Sequence, residues 1–368
     1  MKAAWLTGLA WLQHDPRGKW VGMALAAIVL ALLPFALEAS VGRTWVRIID
    51  LALLYVMLAL GLNIVVGFAG LLDLGYIAFY AVGAYIYALL ASPHFGIHLP
   101  WWTLLPIGAV IAAFFGVVLG APTLRLRGDY LAIVTLGFGE IIRIFLTNLN
   151  APINITNGPQ GVNMIDPIAI DGLSFAKVNT LIGVPFPGTH LYYYLFLLLA
   201  ALVIFVCIRL EDSRIGRAWA AIREDEIAAQ AMGINTRNVK LLAFAMGASF
   251  GGIAGGLFSS LQGFVSPESF ALWESITVLC MVVLGGMGHV AGVVLGAILL
   301  ATLPELLRHT AGPVQQELFG KVILDPESLR MLLFGLALIL VMLLRPAGLW
   351  PSPTRRRELT SARAPGTV

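Results

Sequence analysis

Leu191-Tyr-Tyr-Tyr-Leu-Phe-Leu-Leu-Leu-Ala-Ala-Leu-Val-Ile-Phe-Val-Cys-Ile208 runs for eighteen residues without a charge. A helix rises about 1.5 Å per residue, so a run of about 20 residues matches the ~30 Å hydrocarbon layer of a bilayer. Apolar runs of this kind recur near 20–37, 48–66, 71–91, 101–120, 130–148, 191–208, 241–261, 273–289, 292–307 and 330–344. The 368 residues are 59% hydrophobic and 12% charged, where a soluble domain has about 25% charged residues. The runs are continuously apolar rather than alternating, which argues against a β-barrel. Helices satisfy their own backbone hydrogen bonds in lipid. The expected fold class is therefore all-α, a polytopic membrane helical bundle of about ten transmembrane helices. The net charge of +3 gives no case for nucleic acid.

The apolar stretch at 20–37 is too long for the core of a signal peptide and follows a segment with two tryptophans, so it reads as an anchor. Residues 3–13, with Trp5, Leu6, Leu9 and Leu12 on one face, suit a short interfacial helix. Of the 23 Lys and Arg residues, sixteen fall on one set of connections and six on the other, with Arg143 inside a span. By the positive-inside rule both termini are cytoplasmic, which also requires an even number of spans. Arg43 and Arg47 run against the rule. Residues 1–19 then form a cytoplasmic N-terminal segment, 20–344 the transmembrane domain and 345–368 a basic cytoplasmic tail. Within the domain, 149–190 is a long outer loop rich in Pro, Gly and Asn, and 209–240 is a long inner connection dense in both charges. Ten spans divide into two sets of five. An odd number per set turns the second upside down relative to the first, an inverted repeat of the kind transporters use.

The most informative connection is Ser213-Arg-Ile-Gly-Arg-Ala-Trp-Ala-Ala-Ile-Arg-Glu-Asp-Glu-Ile-Ala-Ala-Gln-Ala-Met-Gly-Ile-Asn235. Ile215, Trp219 and Ile222 share one helical face. Asp225 suits the N-cap of a second helix over 226–232, and Gly233 suits the position that ends it. The result is two short amphipathic helices at the cytoplasmic surface, read as a solvated loop or as a docking site.

Resemblance weighs toward docking. Arg223-Glu-Asp-Glu-Ile-Ala-Ala-Gln-Ala-Met-Gly-Ile234 resembles the EAA-type coupling loop of bacterial ABC importer permeases, matching at Glu226, Ala228, Ala229 and Gly233. After the first span the chain resembles the LivM-type permease of branched-chain amino-acid importers. The likeness includes Tyr130-Leu-Ala-Ile-Val-Thr-Leu-Gly-Phe-Gly-Glu-Ile-Ile-Arg143, Thr156-Asn-Gly-Pro-Gln-Gly-Val162, Gly285-Gly-Met-Gly-His-Val-Ala-Gly292 and Arg345-Pro-Ala-Gly-Leu349. Ile227 interrupts the family's Glu-Ala-Ala order. The resemblance implies a bacterial inner-membrane subunit without catalytic residues. Its implied partners are a second permease, two cytoplasmic ATPases that hold ATP and magnesium, and a periplasmic binding protein. It also implies that Ile215, Trp219, Ile222 and Met232 anchor the coupling segment on an ATPase. Arg217, Arg223, Glu224, Asp225 and Glu226 would then be rim charges that set register.

The chain carries no nucleotide site of its own by motif. Gly18-Lys19-Trp20 and Gly320-Lys321-Val322 lack the Ser or Thr of a phosphate loop. Gly286–Ala291 imitates a dinucleotide fingerprint inside an apolar run, without a preceding strand. Cys207 and Cys280 lie in apolar runs and make neither a disulfide framework nor a metal site.

Glycines four apart let helix backbones approach closely in lipid. Gly247, Gly251 and Gly255 make one such ridge, with Gly252 and Gly256 beside it, and Gly288, Gly292 and Gly296 make another. Static packing is the first reading, and sliding helices the second. Charges inside spans cost about 2.5–3.5 kcal/mol each. Asp73, Glu140, Arg143 and Glu274 are the cases here. Glu140 and Arg143 are spaced i, i+3 and are read as a structural pair before a pathway role. Asp73, between Gly70 and Gly75, marks a break that borders the pathway or caps a helix. Asn63 and Tyr76 are further polar pathway candidates. Asn157-Gly158-Pro159 is turn chemistry.

The expected function is the permease subunit of an ATP-driven ABC importer, shaping the path for branched-chain or other hydrophobic amino acids. The rival readings are an ion-coupled secondary transporter of a small polar solute, with Asp73 and Glu140 as coupling groups, and an ABC permease for urea or an aromatic acid.

Overall fold

The computed structural model describes residues 16–124, 126, 128–170, 173–181, 184–319 and 348–350, with isolated positions between 332 and 343. The interfacial helix expected over 3–13, the tenth run at 330–344 and the tail beyond 350 lie outside the described residues.

Among the described residues eleven helices follow one another: α1 (Pro16–Ser40), α2 (Arg43–Asn63), α3 (Ile77–Leu90), α4 (Trp101–Thr123), α5 (Asp129–Asn148), α6 (Gly188–Glu211), α7 (Arg214–Glu224), α8 (Glu226–Ala231), α9 (Thr236–Gln262), α10 (Leu272–Gly285) and α11 (Val290–Phe319). Six helical segments among the described residues are long and apolar enough to cross a membrane: Arg43–Phe68, Trp101–Thr123, Asp129–Asn148, Gly188–Glu211, Thr236–Gln262 and Pro267–Gly285. Ala27–Ser40, Ile77–Leu90 and Val290–Leu306 are shorter and apolar.

The glycine ridge of α9 sets the centre. A Cβ on Gly255 would lie 2.1 Å from the Tyr80 carbonyl of α3. On Gly252 it would lie 2.6 Å from the Gly108 carbonyl of α4, and on Gly247 2.8 Å from the Gly61 carbonyl of α2. Three helices thus meet α9 backbone to backbone, which a side chain would prevent.

The run at 71–91 departs from a single helix. After Asn63 the α2 helix continues as a π turn, Ile64–Phe68, and residues 69–76 are irregular before α3 begins. The Tyr76 hydroxyl donates to the Gly247 carbonyl (2.9 Å). Gly247 lies eleven residues into α9, so α3 starts about 17 Å along that helix. The first six residues of this run are irregular chain. Such chain is tolerated where protein buries it, and Asp73, Gly75 and Tyr76 are buried. Gly70, Asp73 and Gly75 mark the break in the sequence, while Leu71, Leu72 and Leu74 between them keep the run as apolar as a helix.

Contacts sort the connections onto two ends. At one end, β1 (Val162–Asn163) of the long loop pairs antiparallel with β6 (Phe264–Val265) after α9. Trp101 Nε1 donates to the Ala169 carbonyl there (3.0 Å). The same loop carries the two-stranded hairpins β2–β3 (Ala169–Ile170, Leu173–Ser174) and β4–β5 (Asn179–Leu181, Val184–Phe186). At the other end lie the α4–α5 connection, α7, α8 and the α10–α11 turn. That turn uses Gly286 (φ 118°) and Gly288 (φ 80°), a conformation that favours glycine. Leu349 N and Trp350 N donate to the Leu284 and Gly285 carbonyls, 2.9 and 3.1 Å away. They thereby satisfy two of the open acceptors at the end of α10.

Candidate functional site

The segment from Ser213 to Asn235 folds as two capped helices. Ser213 Oγ accepts from Gly216 N at the start of α7 (3.1 Å). Asp225 Oδ1 accepts from Ile227 N (2.8 Å) and Ala228 N (3.1 Å) at the start of α8. Gly233 follows with φ 85°. Asn235 Oδ1 then accepts from Asn238 N to open α9 (3.2 Å). Three caps in about twenty residues make this connection rigid rather than a loose loop.

Its apolar face points into the chain itself. Trp219 is fully buried, stacks on Phe68 of the π turn at 6.4 Å and donates from Nε1 to the Val239 carbonyl (2.8 Å). Ile222 and Ala229 are buried too. Trp219 and Ile222 are therefore internal anchors, not contacts for another protein. An amphipathic period reveals an apolar face without revealing what covers it. The exposed apolar groups are Ile215, Ile227 and Met232, at 36%, 67% and 83%. Arg217, Glu224, Asp225, Ala228 and Gly233 surround them on the surface. Glu226 turns inward to Lys240 Nζ at 2.6 Å, and Gln230 Nε2 donates to Thr236 Oγ1 at 2.9 Å.

Arg223, half-buried, also reaches inward. Its Nη1 donates to the Gly67 carbonyl in the π turn, 2.7 Å away. A π turn shifts hydrogen bonding to i+5 and loosens the carbonyl pattern of the helix, so this acceptor is open to a side chain. Gly67 is also where the α10–α11 turn arrives. Asn63 Oδ1 accepts from Gly288 N (2.9 Å), and a Cβ on Gly67 would lie 2.5 Å from that nitrogen. The stem of Arg223 covers Gly70, where a Cβ would meet its Cγ at 2.5 Å. Gly288 is thus a turn residue at this junction, not part of a helix ridge. Gly292 packs on the Gly285 carbonyl, and Gly296 on the carbonyl of Met281 and on Gly285.

Above the junction, the irregular stretch is held from three sides. Asp73 Oδ1 accepts from Gly75 N (2.8 Å), an Asx-type cap just ahead of α3. Leu74 N donates to Thr135 Oγ1 of α5 (3.0 Å), and Ser275 Oγ of α10 donates to the Leu74 carbonyl (2.7 Å). A Cβ on Gly75 would lie 2.0 Å from the Thr135 carbonyl. Asn63, Asp73 and Tyr76 therefore belong to one buried system that joins α2, α3, α5, α9 and α10.

Glu140 and Arg143 stand apart from it as an ion pair on α5, Nη2 to Oε2 2.9 Å. Glu274 accepts from the Tyr55 hydroxyl at 3.0 Å. Asp50 was not singled out by the sequence. It lies fully buried near the start of α2, and neither carboxylate oxygen has a hydrogen-bond partner among the described residues. The signal that could have found it is a charge inside the apolar run at 48–66. Among the described residues no group of His, Cys, Asp and Glu could hold a metal.

Residues 44–342 match the family model described as branched-chain amino acid transport system / permease component. The chain is 43% identical to the high-affinity branched-chain amino acid transport system permease protein LivM of Escherichia coli (strain K12), covering 95% of this chain and 80% of that protein. It is 28% identical to the probable LivM permease of Methanocaldococcus jannaschii, over 74% of each. It is 26% identical to the permease protein LivH of Salmonella typhimurium, over 81% of this chain and 92% of that protein. No solved structure matches the chain.

Proposed function

Because the chain belongs to the family of branched-chain amino acid transport system permease components, we propose that it is the membrane subunit of an ATP-driven importer. It carries a branched-chain amino acid and works with a second, related permease. Two cytoplasmic ATPases hold the ATP and magnesium and seat on α7 and α8, and a periplasmic binding protein delivers the solute to the opposite end. The chain crosses the inner membrane about ten times, in two inverted sets of five, with both termini cytoplasmic. The sorting of the connections onto two ends supports this topology, as does the excess of Lys and Arg on one set.

The observation that carries the reading is the hydrogen bond from Arg223 to Gly67. A rigid, capped surface segment with exposed Ile227 and Met232 grips the π turn at the foot of a broken span. Movement imposed on that segment from outside reaches the break directly, which an ion-coupled carrier does not require. Purification in mild detergent should retain an ATPase and a second permease, and proteoliposomes with the binding protein should take up leucine only with ATP inside. Uptake without ATP, or without any associated ATPase, would end the reading.

A further inference from the structure

α5 is the least buried of the six long spans. Tyr130, Ile133, Val134, Ile141, Ile144 and Phe145 are exposed along one side of it. Gly137 lies in the middle of that side, and a Cβ there would meet nothing within 4 Å. Glu140 lies at the edge of the same side and its partner Arg143 about 60° further round the helix, the two side chains 32% and 36% exposed. Charges at membrane depth face protein or water, not lipid. Glu140 is eleven residues into α5, about 16 Å from its start. This is the level at which Gly139 packs against Gly75, where α3 begins. The pair thus sits at mid-membrane depth beside the broken span, on a face open to whatever adjoins it.

Building on the permease reading, we infer that this side of α5 faces the passage between this chain and the second permease. Glu140 and Arg143 there take the ammonium and the carboxylate of an amino acid in transit. The chemistry fits a zwitterion with an apolar side chain. One carboxylate and one guanidinium lie 2.9 Å apart, Ile133 and Ile144 supply apolar walls, and the missing side chain at Gly137 leaves room between them. A group that reads charge weakly and exchanges partners suits passage better than tight binding. The opposite side of α5 holds Leu74 through Thr135, so displacement of the break also moves this face.

The test uses the full importer in proteoliposomes. A Gly137→Cys variant should react with a charged, membrane-impermeant thiol reagent well above the wild-type background, and the reaction should block leucine uptake. Glu140→Gln and Arg143→Gln should each lower uptake by about tenfold or more, the loss expected for one charge-assisted hydrogen bond, while the second permease still co-purifies. Absence of labelling at position 137 would mean that α5 faces lipid and would overturn the inference. So would uptake that stays within about twofold of wild type in both charge variants. Failure of the wild type to show ATP-dependent uptake would count against the permease reading alone, since labelling reads the exposure of α5 directly.

Discussion

Arg223 and Gly67 are 156 positions apart in sequence and joined by a 2.7 Å hydrogen bond from guanidinium to carbonyl. One residue belongs to a surface helix, the other to the π turn that ends α2. The carbonyl accepts because the π turn leaves it available, and the arginine reaches because Trp219, one turn back, fixes α7 against Phe68 and Val239.

Removing that donor should separate hydrolysis from transport. Arg223→Met keeps the stem over Gly70 and deletes the guanidinium. A hydrogen bond to a charged group contributes about 1.5–3 kcal/mol, a factor of about ten or more in an equilibrium. Leucine uptake in proteoliposomes should fall by that order, while ATP hydrolysis by the assembled complex persists. Uptake equal to wild type would show that the contact transmits nothing.

Asp225 sets the direction of α8. Six residues are too few to hold a helix by propensity, so the cap contributes much of the order. Asp225→Ala should cost about 1 kcal/mol of local stability and Asp225→Asn much less. Titration of the purified ATPase onto the permease should show weaker binding for the alanine variant and near-normal binding for asparagine. Equal weakening by both would point to the charge rather than the cap.

Lys240 and Glu226 form a coupled pair, 2.6 Å apart and mostly buried. Lys240→Met removes the ammonium beside a largely buried carboxylate and should lower stability by about 1–3 kcal/mol. Adding Glu226→Gln should recover a large part, because the charge that faced the ammonium goes with it. Thermal midpoints in detergent for the two single variants and the double variant give the coupling. Strict additivity would deny it.

Gly255 and Gly137 make a contrasting pair of positions for the same substitution. Alanine at 255 places a methyl group 2.1 Å from the Tyr80 carbonyl, and overpacking of this kind costs about 1–3 kcal/mol or more. Alanine at 137 meets nothing and should leave stability equal or raised by up to about 1 kcal/mol, through helix propensity. Thermal unfolding of the two variants should diverge in that order.

Much of the local structure was legible. Asp225 and Gly233 were read as cap and stop because their chemistry acts within a few residues, and the Gly247, Gly251 and Gly255 ridge because its spacing is a fixed period. What escaped is what depends on neighbours distant in sequence. Trp219 looked like an anchor for another protein because periodicity is blind to Phe68, which covers it. Arg223 looked like a surface charge because its acceptor exists only through a π turn, which has no residue signature. The half-helix at 77–90 was hinted at by Gly70, Asp73 and Gly75 but masked by leucines between them. Gly288 matched a ridge spacing yet serves a turn, since i+4 counting does not know where a helix begins.

The short ladder between Val162–Asn163 and Phe264–Val265 carries its own consequence. It ties the long loop to the far end of α9, so that end cannot splay without tearing a small sheet. Rearrangement at the end that bears Arg223 meets no such stitch between strands among the described residues. The molecule is therefore laced by strands at one rim and by single hydrogen bonds onto open carbonyls at the other, and a clamp grafted onto the strand-laced rim should restrain it least.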